Sequence, residues 1–258
     1  MVKAIFFDID GTLVSFNTHK VSTAVRDAIK RLREKGIKVF IASGRSGSEL
    51  AVIDGIEFDG YIVLNGSHCY TADGQDIYKK CIKAEDVNRL VDWLKTTEIP
   101  FGFVHDEGAF VNRMNDRVRE IAALVELEAP DVEPAENAIG KDILQIMGYF
   151  EEGQEPDLFN DVLLDCDQMR WNPYFTDIIA KGNSKSKGID HVLEYYGIDL
   201  KDTMAFGDGG NDIPMLKHVA IGVAMGNAAD DIKAVADYTT ATVDEDGIIT
   251  ALNYFGIL

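Results

Sequence analysis

Ala4-Ile5-Phe6-Phe7-Asp8-Ile9-Asp10-Gly11-Thr12 is the stretch from which the rest of the chain can be read. Its first four residues form an unbroken apolar run, the pattern of a strand buried on both faces. The run ends on two aspartates one residue apart, followed by a Gly-Thr turn. Residues two apart at a strand end project to one side, so Asp8 and Asp10 converge beyond the strand's carboxyl end. In open α/β sheets, ligands bind at that edge. Two carboxylates this close do not both ionise comfortably without a cation, and Mg²⁺ suits hard oxygen donors. Taken alone, the stretch also fits an ordinary Asp-Gly turn beside a solvated Asp8.

Outward from this stretch, Val25, Ala28, Ile29 and Leu32 recur at helical spacing after Ser22, a suitable N-cap, and Gly36 stops the helix. Apolar runs at 37–41 and 61–64 predict two further strands, and strand–helix–strand units with short connections predict a parallel sheet with right-handed crossovers. The pattern resumes late, with strands at 203–206 and 220–224 and helices at 188–196, 213–217, 230–236 and 248–254. The middle differs in texture. Alternating segments at 101–104, 109–111 and 143–147 lie among helical stretches at 85–95 and 115–124, with an acidic connector at 128–136. The expected architecture is an α/β, Rossmann-like parallel-sheet core formed by 1–81 and 185–258, with an inserted α+β unit over 82–184.

Three more segments carry candidate chemistry, two of them directly after predicted strands. Phe206-Gly207-Asp208-Gly209-Gly210-Asn211-Asp212 joins glycines that allow a sharp turn to carboxylates suited to Mg²⁺. Ile41-Ala42-Ser43-Gly44-Arg45 offers a hydroxyl and backbone N–H groups at an expected helix start, an anion-binding arrangement if Ser43 is more than an N-cap. Lys181-Gly182-Asn183-Ser184-Lys185-Ser186-Lys187-Gly188 is basic in an acidic chain, and Lys185 or Lys187 at a helix start would meet a phosphate. Leu64-Asn65-Gly66-Ser67 ends the third strand, as a site-facing step or a simple hairpin turn.

Composition narrows the function classes. Over 258 residues, 25 Lys and Arg against 44 Asp and Glu give a net charge of −19, which disfavours nucleic acid or an anionic membrane as partner. No apolar run approaches the ~18 residues of a membrane span, and an acid at position 8 interrupts any signal-peptide pattern, so a cytoplasmic location is expected. The three cysteines form no CxxC pair and the five histidines no HExxH, so a metal site here is expected to be built from carboxylates.

In order and in strand-end placement, the DIDGT, SGR, lysine and GDGGND elements resemble the four motifs of the haloacid dehalogenase phosphatase superfamily. The long insertion resembles a type IIB cap, that of the Cof-type sugar-phosphate phosphatases. The resemblance implies Asp8 as nucleophile, Asp10 as acid and base, and Mg²⁺ held by Asp8, Asp208 and the backbone carbonyl of Asp10. Asp212 and Asn211 would orient the lysine and the metal surroundings. Ser43, Gly44 and the lysine would hold the phosphoryl oxygens, with Arg45 and Asn65 as further candidates. Lys185 is preferred to Lys187, because Gly182-Asn183-Ser184-Lys185 fits the family's phrasing. In the insert, His105, Asp106, Arg170, Trp171 and Asp177 are candidate readers of sugar hydroxyls, whereas Phe101, Phe103, Tyr149 and Phe150 are expected core. The implied enzyme is a monomeric Mg²⁺-dependent phosphomonoesterase acting on small phosphorylated metabolites through an aspartyl-phosphate. The alternatives are a phosphomutase, a phospho-accepting signalling domain, or a glycosyltransferase with a metal-binding DxD.

Overall fold

A computed structural model describes residues 1–125, 127–153 and 158–258. The chain forms two compact units, Met1–Lys79 with Ser184–Leu258, and Lys80–Asn183.

In the first unit, β1 (Ala4–Phe7), β2 (Lys38–Ala42), β3 (Gly60–Val63), β4 (His68–Thr71) and β5 (Asp76–Lys79) precede the insert. The insert contributes β6 (Phe101–His105), β7 (Gly108–Val111), β8 (Asp131–Val132), β9 (Gln145–Gly148), β10 (Cys166–Asn172) and β11 (Phe175–Ala180). After it come β12 (Thr203–Gly207), β13 (Ile221–Ala224) and β14 (Tyr238–Thr239). The core sheet runs β14-β13-β12-β1-β2-β3-β4-β5. Pairs from β14 to β3 are parallel, and β4 and β5 add an antiparallel edge. The sheet is thus mixed at one margin, because the turn at 64–67 brings β4 straight back along β3, and Asp73-Gly74 (Gly74 φ +83°) does the same for β5, with no crossover helix in either connection.

The opening strand is buried on both faces, as its apolar run requires. Ile5 and Phe7 face one core with Val25, Ile29 and Leu32 of α1 (Thr23–Glu34). Ala4 and Phe6 face the other. That second core includes Ile189 and Val192 of α4 (Lys185–Tyr196) and Met215 of α5 (Ile213–His218). Stacked rings tie β1 to its neighbours, Phe6 on Phe40 at 5.0 Å and Phe7 on Phe206 at 5.2 Å. Each buried phenylalanine contributes about 1.5–3 kcal/mol relative to an exposed one. The registry they set delivers the strand end to the site, where the Asp8 N–H donates to Phe206 O at 3.0 Å. Ser22 caps α1 by accepting from the Val25 N–H at 3.2 Å. Two helical expectations shift. The helix expected over 188–196 begins at Lys185, with Ser184 as N-cap, and the one over 230–236 covers only α6 (Asp230–Lys233). The last helix, α7 (Gly247–Tyr254), packs its Ile248, Ala251 and Leu252 into the α1 core.

The second unit is a six-stranded sheet, β10-β11-β9-β6-β7-β8. One face packs against α2 (Ala84–Trp93), and Phe101, Phe103 and Phe150 are buried there. On the other, α3 (Asp116–Leu124) packs Val118 and Ile121 with Val111, Tyr149 and Phe175. The aromatic residues expected as core are core: all four are at most 3 % exposed. Among the described residues, no helix is long and apolar enough to cross a membrane.

Candidate active site

The carboxyl ends of β1 and β12 lie side by side in parallel register, so the two acidic loops that follow them meet. One oxygen each from Asp8, Asp208 and Asp212 falls within a 4.8 Å cluster. Lys185 is buried at the first turn of α4, and its Nζ donates to Asp8 Oδ1 at 2.6 Å and to Asp212 Oδ1 at 2.5 Å. Lys187, two residues on, is exposed and pairs with Asp190 at 3.1 Å. The other oxygen of Asp212 accepts the Asp208 and Gly209 N–H groups, each at 2.9 Å. Asp212 therefore folds the Gly207–Asp212 loop around itself while gripping the lysine.

Three carboxylates around one ammonium leave an excess of negative charge in a buried place. Burial, reinforced by Asp212, holds the Asp8 carboxyl well above the ordinary carboxylate range against the opposing pull of Lys185. The Asp208 carboxyl is pushed up to about 7, first by burial and then by Asp212. Burial works against the charge on Lys185, but Asp212 and Asp8 outweigh it and hold the ammonium above its usual range. A small hard cation would relieve this excess, and an all-oxygen donor set fits one.

Asp10 stands apart from this cluster. Its two oxygens accept from Arg45 Nε at 2.8 Å and Nη2 at 2.7 Å, and Arg45 Nη1 also donates to Glu49 O at 3.2 Å. The Asp10 side chain is thus engaged by the guanidinium rather than by the other acids. Ser43 is buried, and its Oγ accepts the Arg45 N–H at 3.2 Å. The helix expected to start there is instead a 3₁₀ segment, Gly47–Ile53, capped by Ser46, so Ser43 and Gly44 lie in the loop before it. Asn65 sits in a left-handed turn (φ +52°) between the antiparallel β3 and β4, so the hairpin reading holds. It nevertheless faces the acidic loop, accepting from Asn211 Nδ2 at 3.0 Å. Gly66 beside it has φ +94°, and a Cβ there would stand 2.2 Å from Ser184 O, so only glycine lets this turn approach the start of α4.

Two residues at the site were not singled out by the sequence reading. Thr12 is buried and its Oγ1 donates to Asp208 Oδ1 at 2.9 Å. Asn227 Nδ2 donates to Gly11 O at 2.8 Å and to Asp208 Oδ2 at 3.1 Å. The signal for both was available: Thr12 closes the opening motif, and Asn227 follows an apolar strand, as every other motif does.

The insert's candidates lie on β6, β10 and β11 and in one turn. Asp106 lies in the turn between β6 and β7, and His105 at the end of β6 has its Nε2 3.1 Å from Lys141 Nζ. Arg170 Nη1 donates to Phe150 O at 3.0 Å and to Pro173 O at 3.2 Å, closing the β10–β11 turn. Trp171 packs on Phe175 at 5.2 Å. Asp177 is buried on β11 and accepts from Gln145 Nε2 at 2.8 Å.

Residues 5–252 match the haloacid dehalogenase-like hydrolase family. The chain belongs to it. A similar relative is the Bacillus subtilis protein YkrA, whose name assigns it provisionally to the phosphatases; it is 32 % identical over 99 % of this chain and 98 % of its own. Two solved structures resemble the whole chain. One, from Bacteroides thetaiotaomicron, is described among the phosphatases of the haloalkanoate enzyme superfamily; it is 41 % identical, with a TM-score of 0.92 over 100 % of this chain and 96 % of that one. The other is described as a subclass IIB sugar phosphatase and is 40 % identical, with a TM-score of 0.93 over 100 % of both chains.

Proposed function

We propose that this hydrolase is an Mg²⁺-dependent phosphomonoesterase for small phosphorylated metabolites, sugar phosphates first among them, working through a phosphoryl group carried on Asp8. It is a phosphatase of the haloacid dehalogenase superfamily. The observation that carries the finer reading is the convergence of Asp8, Asp208, Asp212 and Lys185 on one sheet edge. Mg²⁺ would be held by Asp8 and Asp208 with the backbone carbonyl of Asp10, and when bound it neutralises charge on the phosphoryl oxygens.

Lys185 occupies Asp8 Oδ1, which leaves Oδ2 as the attacking oxygen. The Oδ2–P bond forms as the bond from phosphorus to the sugar oxygen breaks, and Asp10 delivers a proton to that oxygen. Water then attacks phosphorus, Asp10 takes back a proton, and the Oδ2–P bond breaks to release phosphate. Both Asp10 oxygens are held by Arg45, so Asp10 must leave the guanidinium before it can reach the leaving oxygen. Ser43, Gly44 and Lys185 would hold the phosphoryl oxygens, where positioning and charge neutralisation supply most of the rate, with Arg45, Asn65 and Asn211 as further contacts. A glycosyltransferase DxD would leave the Lys185–Asp212 pair without a purpose.

The test is phosphate release from p-nitrophenyl phosphate and from a panel of sugar phosphates, with Mg²⁺ and with EDTA, for the wild type and for Asp8→Asn. Activity abolished by chelation and by the substitution supports the reading. Activity that survives both defeats it.

A further inference from the structure

Asn227 has no part in the reaction as written, yet its carboxamide joins three segments. Nδ2 donates to Gly11 O at 2.8 Å and to Asp208 Oδ2 at 3.1 Å, while Oδ1 accepts the Val243 N–H at 3.0 Å. The opposite oxygen of the same aspartate, Oδ1, receives the Thr12 hydroxyl at 2.9 Å. Behind it the backbone closes in: a Cβ at Gly11 would lie 2.1 Å from Asp208 Oδ2. The terminal torsion of an aspartate is broad and roughly two-fold, so an unrestrained carboxylate presents its lone pairs over a wide arc. Here rotation of that torsion would break a hydrogen bond on each side.

The kind of donor matters. Lys185 spends its charge on Asp8 and Asp212. Asp208 is held by a neutral amide and a neutral hydroxyl, which fix its plane without cancelling its charge. A cationic donor in their place would compete with any cation that Asp208 binds. We infer that Asn227 and Thr12 are positioning residues that set the plane of the Asp208 carboxylate for a divalent cation, with Asn227 anchored in turn by the Val243 backbone. This rests on the cation-dependent reading proposed above. Groups that orient metal-binding side chains typically contribute 10–100-fold in metal affinity or activity.

The experiment is calorimetric titration of Mn²⁺ and of Mg²⁺ into the metal-free full chain, without substrate, for wild type, Asn227→Ala, Thr12→Val and Thr12→Ser. Asn227 is exposed, so its alanine variant leaves the Val243 N–H to water and should unfold at a temperature close to wild type without metal. Asn227→Ala and Thr12→Val should each bind the cation on the order of 10-fold more weakly. Thr12→Ser, which keeps the hydroxyl, should stay close to wild type. With saturating Mg²⁺, kcat of the weakened variants should return most of the way. If wild type binds the cation and Asn227→Ala binds it equally well, the inference fails while the proposed function stands, and this variant decides the matter even where Thr12→Val does not fold. If wild type binds neither ion, both fall.

Discussion

Replacing Lys185 with methionine removes the ammonium and keeps most of the apolar stem. In the wild type Nζ lies 2.6 Å from Asp8 and 2.5 Å from Asp212, with the lysine 1 % exposed. Removing one partner of a buried ion pair costs about 3–5 kcal/mol, because the remaining charges stay buried and uncompensated. At roughly 2–4 °C per kcal/mol for a protein of this size, the metal-free variant should melt on the order of 10 °C lower. The deficit also has a predicted pH dependence. The Asp8 and Asp208 carboxyls already lie above their ordinary values, and losing the ammonium pushes them higher. A carboxyl raised by folding penalises the folded state as pH climbs past its unfolded value, so the deficit should be largest near pH 8 and shrink towards pH 5. Differential scanning calorimetry at both pH values, with EDTA and with Mg²⁺, reads all of this, and Mg²⁺ should narrow the gap. The control is Lys187→Met, whose surface pair with Asp190 is worth less than about 1 kcal/mol. Equal losses in the two variants, or a deficit that grows as pH falls, would refute the reasoning.

Three other outcomes follow from the same geometry. Gly11→Ala puts a Cβ 2.1 Å from Asp208 Oδ2 at a backbone φ of +80°, so it should abolish Mg²⁺-induced thermal stabilisation; a variant that Mg²⁺ stabilises as strongly as wild type would contradict this. Ser22→Ala deletes both the cap on the Val25 N–H and the 2.6 Å bond to Asp246, and should cost about 1–2 kcal/mol in urea unfolding with kcat unchanged. With its pKa near 7, the Asp208 carboxyl penalises metal-free folding progressively between about pH 4 and pH 7, and a cation must displace its proton at the lower end. Mg²⁺ affinity should therefore rise from pH 5.5 to 8, with proton release detectable by calorimetry in buffers of different ionisation heat; a flat affinity would count against it.

What the sequence settled by itself are the features in which neighbours along the chain constrain one another. The run Ala4–Phe7 can be buried on both faces only as a central strand, and Val25, Ala28, Ile29 and Leu32 fall on one side only if the chain coils. The acidic and glycine-rich loops were visible because each follows such a run. Only the tertiary structure decided which side chains touch. Lys185 and Lys187 differ little as text, but the rotation of α4 buries the first between Asp8 and Asp212 and leaves the second in water. Arg45 follows Ser43 and Gly44 in the sequence, but only the structure shows its guanidinium on Asp10. Asn227 lies 19 residues from Asp208 and 216 from Gly11, and nothing in local spacing joins those three. Periodicity records which face of an element is apolar. The pairing of polar groups depends on the register and rotation of elements packed against each other, which are fixed only when the whole core closes.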